Sequence, residues 1–99
     1  MIARIVYPLS PGDSFPVGLD FTKWLDGESI SSVQYSAVRL DTGADASSVV
    51  LVQNKCSNTT TLVKPWIKAG DPRVTYQVTV TVTSDSTATL SVKIRFLCS

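Results

Sequence analysis

Apolar and polar residues alternate along positions 74–98, with one interruption at 84–86. One parity is apolar and consists of Tyr76, Val78, Val80, Val82, Ala88, Leu90, Val92, Ile94 and Phe96. The other parity is rich in Thr and ends in Lys93 and Arg95. Because side chains along a β-strand point alternately to opposite faces, this pattern predicts an antiparallel hairpin with one buried face and one solvated face. The polar face is interpreted as a plain solvated surface in preference to a contact surface, for which it is a candidate.

The rest of the chain consists of short extended runs separated by turn residues. We predict strands at 2–7, 14–21, 30–40, 48–53 and 59–67, and one short helical turn at 22–25. Pro16 and Pro65 have no backbone N–H, which favours sheet edges for the strands that contain them.

Spacings of about eight to twelve residues between strands are typical of a β-sandwich. The sequence therefore predicts an all-β protein, an immunoglobulin-like antiparallel β-sandwich of about seven strands with one short helical turn. We expect a single domain over residues 1–99, in which 1–13 is either the first strand or an N-terminal arm. The run at 2–7 is short and apolar and precedes a Pro-Gly segment. It is interpreted as the first strand of the domain in preference to a segment that docks onto a neighbouring subunit.

Composition narrows the possible functions. Hydrophobic residues make up 43% of the chain and charged residues 17%, values that fit a globular fold and not a disordered one. The net charge is +1, and the nine Lys and Arg residues are scattered, which argues against nucleic-acid binding. No apolar run approaches the roughly 20 residues of a membrane span. The N-terminal run is too short for a signal peptide, so we expect no export.

Candidate catalytic chemistry is sparse. The chain has no histidine, which removes the Ser-His-Asp and Cys-His arrangements and most zinc sites. Cys56 and Cys98 are interpreted as two free thiols in preference to one disulfide, and Cys98 shares the buried parity of the hairpin. Asn58 begins a glycosylation sequon, which we attribute to chance.

The acidic residues fall mainly in predicted turns, where Asp side chains bond the local backbone. Segments 26–28 and 41–45 would bind calcium only if their loops met in space, and neither has the spacing of an EF-hand. A carboxylate pair for glycoside hydrolysis is disfavoured in a small sandwich without insertions. We predict no catalytic, cofactor-binding or metal-binding residues and no cofactor.

The aromatic residues allow two interpretations. Trp24 and Trp66 are expected in the core in preference to an interface. A carbohydrate-binding module, the alternative from another functional class, would require Trp24, Trp66 and Tyr35 to be exposed and coplanar.

Two stretches resemble the fibre–tail adaptor proteins, a family of small virion proteins of tailed bacteriophages. The first is LDFTKWL at 19–25 followed by ESISS at 28–32. The second is WIKAG at 66–70, then YQVTV at 76–80 and TSD at 83–85. The two stretches fall within residues 14–96, most of the chain.

The resemblance implies an immunoglobulin-like fold and a non-enzymatic structural role in the virion, assembled in the bacterial host cytoplasm. It implies an adaptor that docks fibre and tail components or head–tail neck components. The partners would be other virion proteins, namely portal or neck, tail or fibre subunits, or capsid, bound in multiple symmetric copies, with no nucleic acid and no membrane. A capsid cement or decoration protein is the alternative.

Overall fold

The computed structural model describes residues 2–4, of which the backbone alone is considered, and residues 8–99. The strands are β1 (Ile2–Arg4), β2 (Ser14–Pro16), β3 (Leu19–Asp20), β4 (Ile30–Arg39), β5 (Ser57–Asn58), β6 (Leu62–Lys64), β7 (Trp66–Lys68), β8 (Thr75–Ser84) and β9 (Thr89–Leu97). The helices are α1 (Thr22–Leu25) and α2 (Ser47–Val50), and a 3-10 turn covers Gln53–Lys55.

A four-stranded sheet with the order β1-β9-β8-β4 forms the main layer. The long strand β8 lies between β9 and β4 and is antiparallel to both. β1 pairs with β9 in parallel, with Ile2 opposite Lys93 and Arg4 opposite Arg95. The main sheet is thus mixed, whereas the sequence predicted antiparallel pairing.

Two small antiparallel sheets form the second layer, β2-β7 and β3-β6-β5. Pro16, opposite Trp66, lies on β2, which pairs with β7 alone, as expected for a strand with a missing backbone donor. Buried residues of both layers, among them Val63, Ile67 and the apolar parity of β8, form one core. The predicted all-β sandwich is confirmed, and the described residues form nine strands because the second layer is built from pieces of two or three residues. The immunoglobulin-like connectivity remains a prediction.

The apolar parity of the hairpin forms the centre of this core. Tyr76, Val78, Val80 and Val82 are fully buried, and Cys98 is 1% exposed. Ala88 is exposed, contrary to the prediction, because the turn continues to this residue. The Ser84 N–H donates to the Ala88 carbonyl at 2.9 Å, and Thr87 adopts a left-handed φ of 67°. The apolar parity therefore resumes at half-buried Leu90 and is fully buried from Val92 onward.

The predicted strand at 48–53 is wrong, since this segment forms α2 and the 3-10 turn. An Asp45 carboxylate oxygen accepts the backbone N–H of Ser47 at 3.3 Å and its hydroxyl at 2.8 Å, which fixes the chain at the helix start. Val50 and Leu51 are buried, so the apolar run still supplies core residues. The predicted helical turn at 22–25 is confirmed as α1, but it is not the only helical segment.

The N-terminal run is paired within the domain where the structure describes it. Ile2–Arg4 forms β1, which pairs in parallel with the chain's own β9. Positions 5–7 of the predicted strand lie outside the described residues, and the first-strand interpretation of residues 1–13 stays a prediction. Across the described residues, no helix has the length and apolar character to cross a membrane.

Candidate docking surfaces

The outer face of the main sheet carries the polar parity of the hairpin. Its members are Ser32, Gln34, Ser36 and Val38 on β4, Thr75, Gln77, Thr79, Thr81 and Thr83 on β8, and Thr89, Ser91, Lys93, Arg95 and Leu97 on β9. The β8 members are half-buried, since strands flank β8 on both sides. Cross-strand bonds order the face: the Thr81 and Ser91 hydroxyls lie 3.1 Å apart, and Arg95 Nε donates to Gln77 Oε1 at 2.8 Å.

Two exposed leucines lie at one end of this outer face. Leu97 on β9 is 44% exposed and lies opposite Thr75 of β8. On the other side of β8, the Leu40 N–H donates to the Thr75 carbonyl. Leu40 is 41% exposed. Single exposed leucines are common on protein surfaces; these two flank the same residue, Thr75, and add apolar area to one end of the polar face.

The second layer presents a different surface, centred on Trp66. Trp66 is half-buried on β7, and its indole N–H donates to the Ser14 hydroxyl at 2.7 Å. Lys55 Nζ lies 4.9 Å from the centroid of the Trp66 ring.

Trp24 has a different environment on α1. It is half-buried, packs against the core and forms an edge-to-face pair with Phe21 at 6.3 Å between ring centroids. Trp24, Trp66 and Tyr35 are therefore all half-buried and lie on three different elements, α1, β7 and β4. They do not form the exposed aromatic platform that the carbohydrate-binding interpretation required.

A cavity of about 410 Å³ opens between α1, β3 and β9. Its lining residues are Gly18, Leu19, Asp20, Phe21, Lys23, Trp24, Leu90 and Val92. Asp20 accepts the Thr22 hydroxyl at 2.6 Å and the Thr22 N–H at 2.9 Å, and these bonds lower the pKa of Asp20. This carboxylate therefore holds the start of α1, and the walls of the cavity are otherwise mainly apolar.

The chain matches the family model described as Podophage GP4 fiber-tail adaptor protein gp77 over residues 10–96. It belongs to this fiber-tail adaptor family. The match spans both stretches that carried the resemblance, and the first of them supplies most of the cavity lining. No curated protein matches the chain.

The acidic residues of this family member bond to nearby backbone and cationic groups. Glu28 Oε1 accepts the Ser86 N–H at 2.9 Å, and hydrogen bonding by the Ser86 side chain and then by its backbone lowers the pKa of Glu28. Two hydrogen bonds join Ser29 and Asp85. The Ser29 N–H donates to Asp85 Oδ2 at 3.3 Å, and the Asp85 N–H donates to the Ser29 carbonyl at 3.1 Å. The segment 26–28, considered above for calcium, thus fastens the tip of the hairpin to the start of β4.

The acidic side chains of the second calcium candidate, 41–45, also form bonds within the fold. Asp41 forms an ion pair with Arg39 at 3.0 Å, and this contact lowers the pKa of Asp41. Arg39 also reaches Asp71 at 3.2 Å, while Asp45 bonds Ser47. Among residues 2–4 and 8–99, no three Asp, Glu, Cys or His side chains come together as a metal site would require.

Both cysteines are free thiols, as predicted. Cys98 is buried, its sulfur accepts the Gly70 N–H at 3.3 Å, and burial raises the pKa of its thiol. Cys56 is half-buried. Its sulfur accepts the backbone N–H of Trp66 at 3.3 Å, and its thiol donates to the Val52 carbonyl at 3.4 Å. Both sulfurs bond backbone groups, which is a structural use of cysteine.

Two surface features were missed in the sequence. Leu97 lies on the polar parity of β9, and the alternation itself contained this signal. The environment of Trp66 depends on Lys55 and Ser14, which are distant in sequence, and no local pattern indicates that they meet.

Proposed function

We propose that this chain is a non-enzymatic adaptor of a podophage particle that docks fibre, tail or neck components. The observation that carries the proposal is the ordered, polar outer face of the main sheet with Leu40 and Leu97 at one end. Membership of the fiber-tail adaptor family supplies the setting. The chain acts in the virion, in multiple symmetric copies.

The outer face suits docking because it is rigid. The inward side chains behind it, including Val78, Val80 and Ile94, are almost fully buried, and they hold the strands in place. Thr, Ser and Gln side chains form hydrogen bonds with a partner without the desolvation cost of charged groups. Leu40 and Leu97 gain from burial, each by about 1–2 kcal/mol for its exposed part.

The acidic side chains described above bond backbone N–H groups or Arg39 in turns, which is a fold-stabilising arrangement. A catalytic acid or base works best with a pKa near the working pH, whereas the pKa values of Asp20, Glu28 and Asp41 are lowered, away from neutrality. The geometry therefore favours binding over catalysis.

Deletion of the gene followed by complementation tests the role. We expect particles without the chain to have empty fibre attachment positions in electron micrographs, and the wild-type gene to restore them. Quantitative mass spectrometry of the restored particles should give a whole-number ratio to a symmetric tail or neck component. Particles that keep all their fibres and lose capsid stability would instead identify a capsid cement protein.

A surface variant tests the docking face. Thr79→Glu places a carboxylate opposite Lys93, where an opposite-charge cross-strand pair preserves the fold while changing the face. Thr60→Glu adds the same charge at an exposed bend between β5 and β6, away from this face, and is the matched control. We expect Thr79→Glu to lower incorporation into particles by about tenfold or more, since it buries a charge at the interface, and Thr60→Glu to leave it unchanged. Equal incorporation of the two variants would exclude this face as the contact.

A further inference from the structure

A row of basic residues around one tryptophan lies on the outer side of the second layer. Burial alternates without a break over residues 63–68. Val63, Pro65 and Ile67 are buried, whereas Lys64, Trp66 and Lys68 are not. Residues two apart on an extended chain are about 6.6 Å apart, so the backbones of both lysines lie near that of Trp66. Together with Lys55 they form what we call the basic tryptophan row.

The indole of this row is held in one orientation. Its N–H donates to the Ser14 hydroxyl at 2.7 Å, and Trp66 lies directly opposite Pro16 on β2. Lys55 Nζ lies 4.9 Å from the centroid of the ring, within the range of a cation–π contact. A fixed, half-buried tryptophan gives up little conformational entropy when a partner covers it, which is why tryptophan is enriched among residues that dominate binding energy.

The positive charge of the row is not balanced by the fold. Among residues 2–4 and 8–99 the ion pairs join Arg39 to Asp41 and to Asp71, and none involves the three lysines. Residues 1–7 contain no Asp or Glu that would alter this. Asp13 precedes Ser14 on the neighbouring strand, but its carboxylate accepts the Ser10 N–H at 2.8 Å in a turn of its own. Lys55 thus lies over a partly exposed aromatic ring, Lys64 and Lys68 neighbour Trp66 along the chain, and none of the three lysines has an ion pair among the described residues.

We propose that the basic tryptophan row binds an acidic segment of another virion protein. Trp66 is the apolar anchor, and Lys55, Lys64 and Lys68 pair with carboxylates of the segment. This inference rests on the proposed adaptor role and deepens it, because an adaptor needs two contact surfaces. The row lies in the second layer, and the polar sheet face lies in the main layer, so two partners can bind without overlap.

A protein partner fits the row better than a nucleic acid does. Phosphate backbones are bound by long tracks of Lys and Arg, whereas other described cations lie elsewhere, with Arg39 in its ion pairs and Lys93 and Arg95 on the main sheet. A short acidic segment needs only the local charge that the row supplies. A segment that covers the ring also excludes water from it, which strengthens the cation–π contact of Lys55.

The solution test uses the purified chain and an octaglutamate peptide at low salt, followed by the Trp66 indole N–H signal in NMR spectra. We expect saturable shifts of this signal and of the Lys55, Lys64 and Lys68 amides. K64E/K68E should weaken binding by about tenfold or more, whereas K23E/R73E, which makes the same charge change elsewhere, should leave it within about twofold. Equal weakening by both variants would overturn the proposal, as would tighter binding of an eight-residue thymidine oligonucleotide than of the peptide.

The particle test identifies the partner directly. A photo-crosslinking amino acid at Lys64, with one at Lys23 as control, is carried into assembled particles, and the crosslinked peptides are sequenced. We expect the Lys64 product to be a segment of another virion protein with several Asp or Glu residues and the Lys23 product to differ. A Lys64 crosslink to nucleic acid, to a segment without acidic residues or to a second copy would overturn the inference. The adaptor role is judged separately by the gene deletion, which does not depend on the row.

Discussion

The backbone of Gly70 lies against the ring of Tyr76, so closely that a Cβ at Gly70 would fall 2.7 Å from Cε2, Cζ and the hydroxyl oxygen of the tyrosine. The same hydroxyl accepts the Asp71 N–H at 2.8 Å, and the ring stacks on Phe96 at 5.9 Å between centroids. Tyr76 is fully buried at the start of β8. The turn before β8 is therefore fixed on the core by a contact that requires glycine, within a stretch shared with the family.

Gly70→Ala is expected to destabilise the fold by about 1–3 kcal/mol, because the added methyl forces the turn away from a buried ring. Urea denaturation followed by tryptophan fluorescence measures the change. Gly18→Ala is the matched control, since a Cβ there meets nothing within 4 Å, and its stability should equal or slightly exceed that of the wild type.

Tyr76→Phe tests the hydrogen bond separately from the steric contact. Loss of the hydroxyl leaves the Asp71 N–H without its acceptor, at an expected cost of about 1 kcal/mol. The variant should not rescue Gly70→Ala, because the ring carbons Cε2 and Cζ remain 2.7 Å from the new methyl. Rescue in the double variant would mean that the hydroxyl alone makes the contact.

Neighbouring substitutions on β8 test the two faces of the hairpin. Val80→Ala removes two methyl groups from a fully buried site and should lower the free energy of unfolding by about 2–3 kcal/mol. Thr79→Ala, one residue away on the outer face, should cost less than about 1 kcal/mol. Similar costs for both would contradict the assignment of the faces.

These faces were predictable from the sequence, because apolar and polar residues that alternate over ten positions are typical of a strand with one buried face. Ala88 was misplaced, since a non-glycine residue, Thr87, takes the left-handed conformation and lengthens the turn. The helix α2 was missed because its Val-Val-Leu run favours a strand, and the Asp45–Ser47 contact overrides that preference. The basic tryptophan row was missed because Pro65 divides it between two small sheets, so no single strand displayed the pattern.

The bond from Ser86 to Glu28 predicts a pH dependence of stability. The pKa of Glu28 is lowered in the folded state, so its contribution is present at neutral pH and is lost as the pH falls below about 4.5. Glu28→Gln keeps an acceptor oxygen but does not titrate, and its stability should fall less between pH 7 and pH 3 than that of the wild type. Asp20 and Asp41 also have lowered pKa values, so Glu28→Gln keeps part of the pH dependence of the free energy of unfolding. Identical slopes in urea titrations would show that Glu28 does not contribute.

The two thiols should react at different rates. Cys98 is buried with a raised pKa, so we expect it to resist iodoacetamide until the protein unfolds. Half-buried Cys56 should be modified first under native conditions. Peptide mass spectrometry after timed labelling distinguishes the two sites, and faster labelling of Cys98 would contradict the packing around Gly70.

A reconstruction of the intact particle by electron cryomicroscopy tests the adaptor role most directly. The account predicts symmetric copies of this chain at the junction between tail and fibre or neck components, with the outer face of β4, β8 and β9 against one of them. Finding the chain on the capsid surface, or absent from the assembled particle, would contradict it.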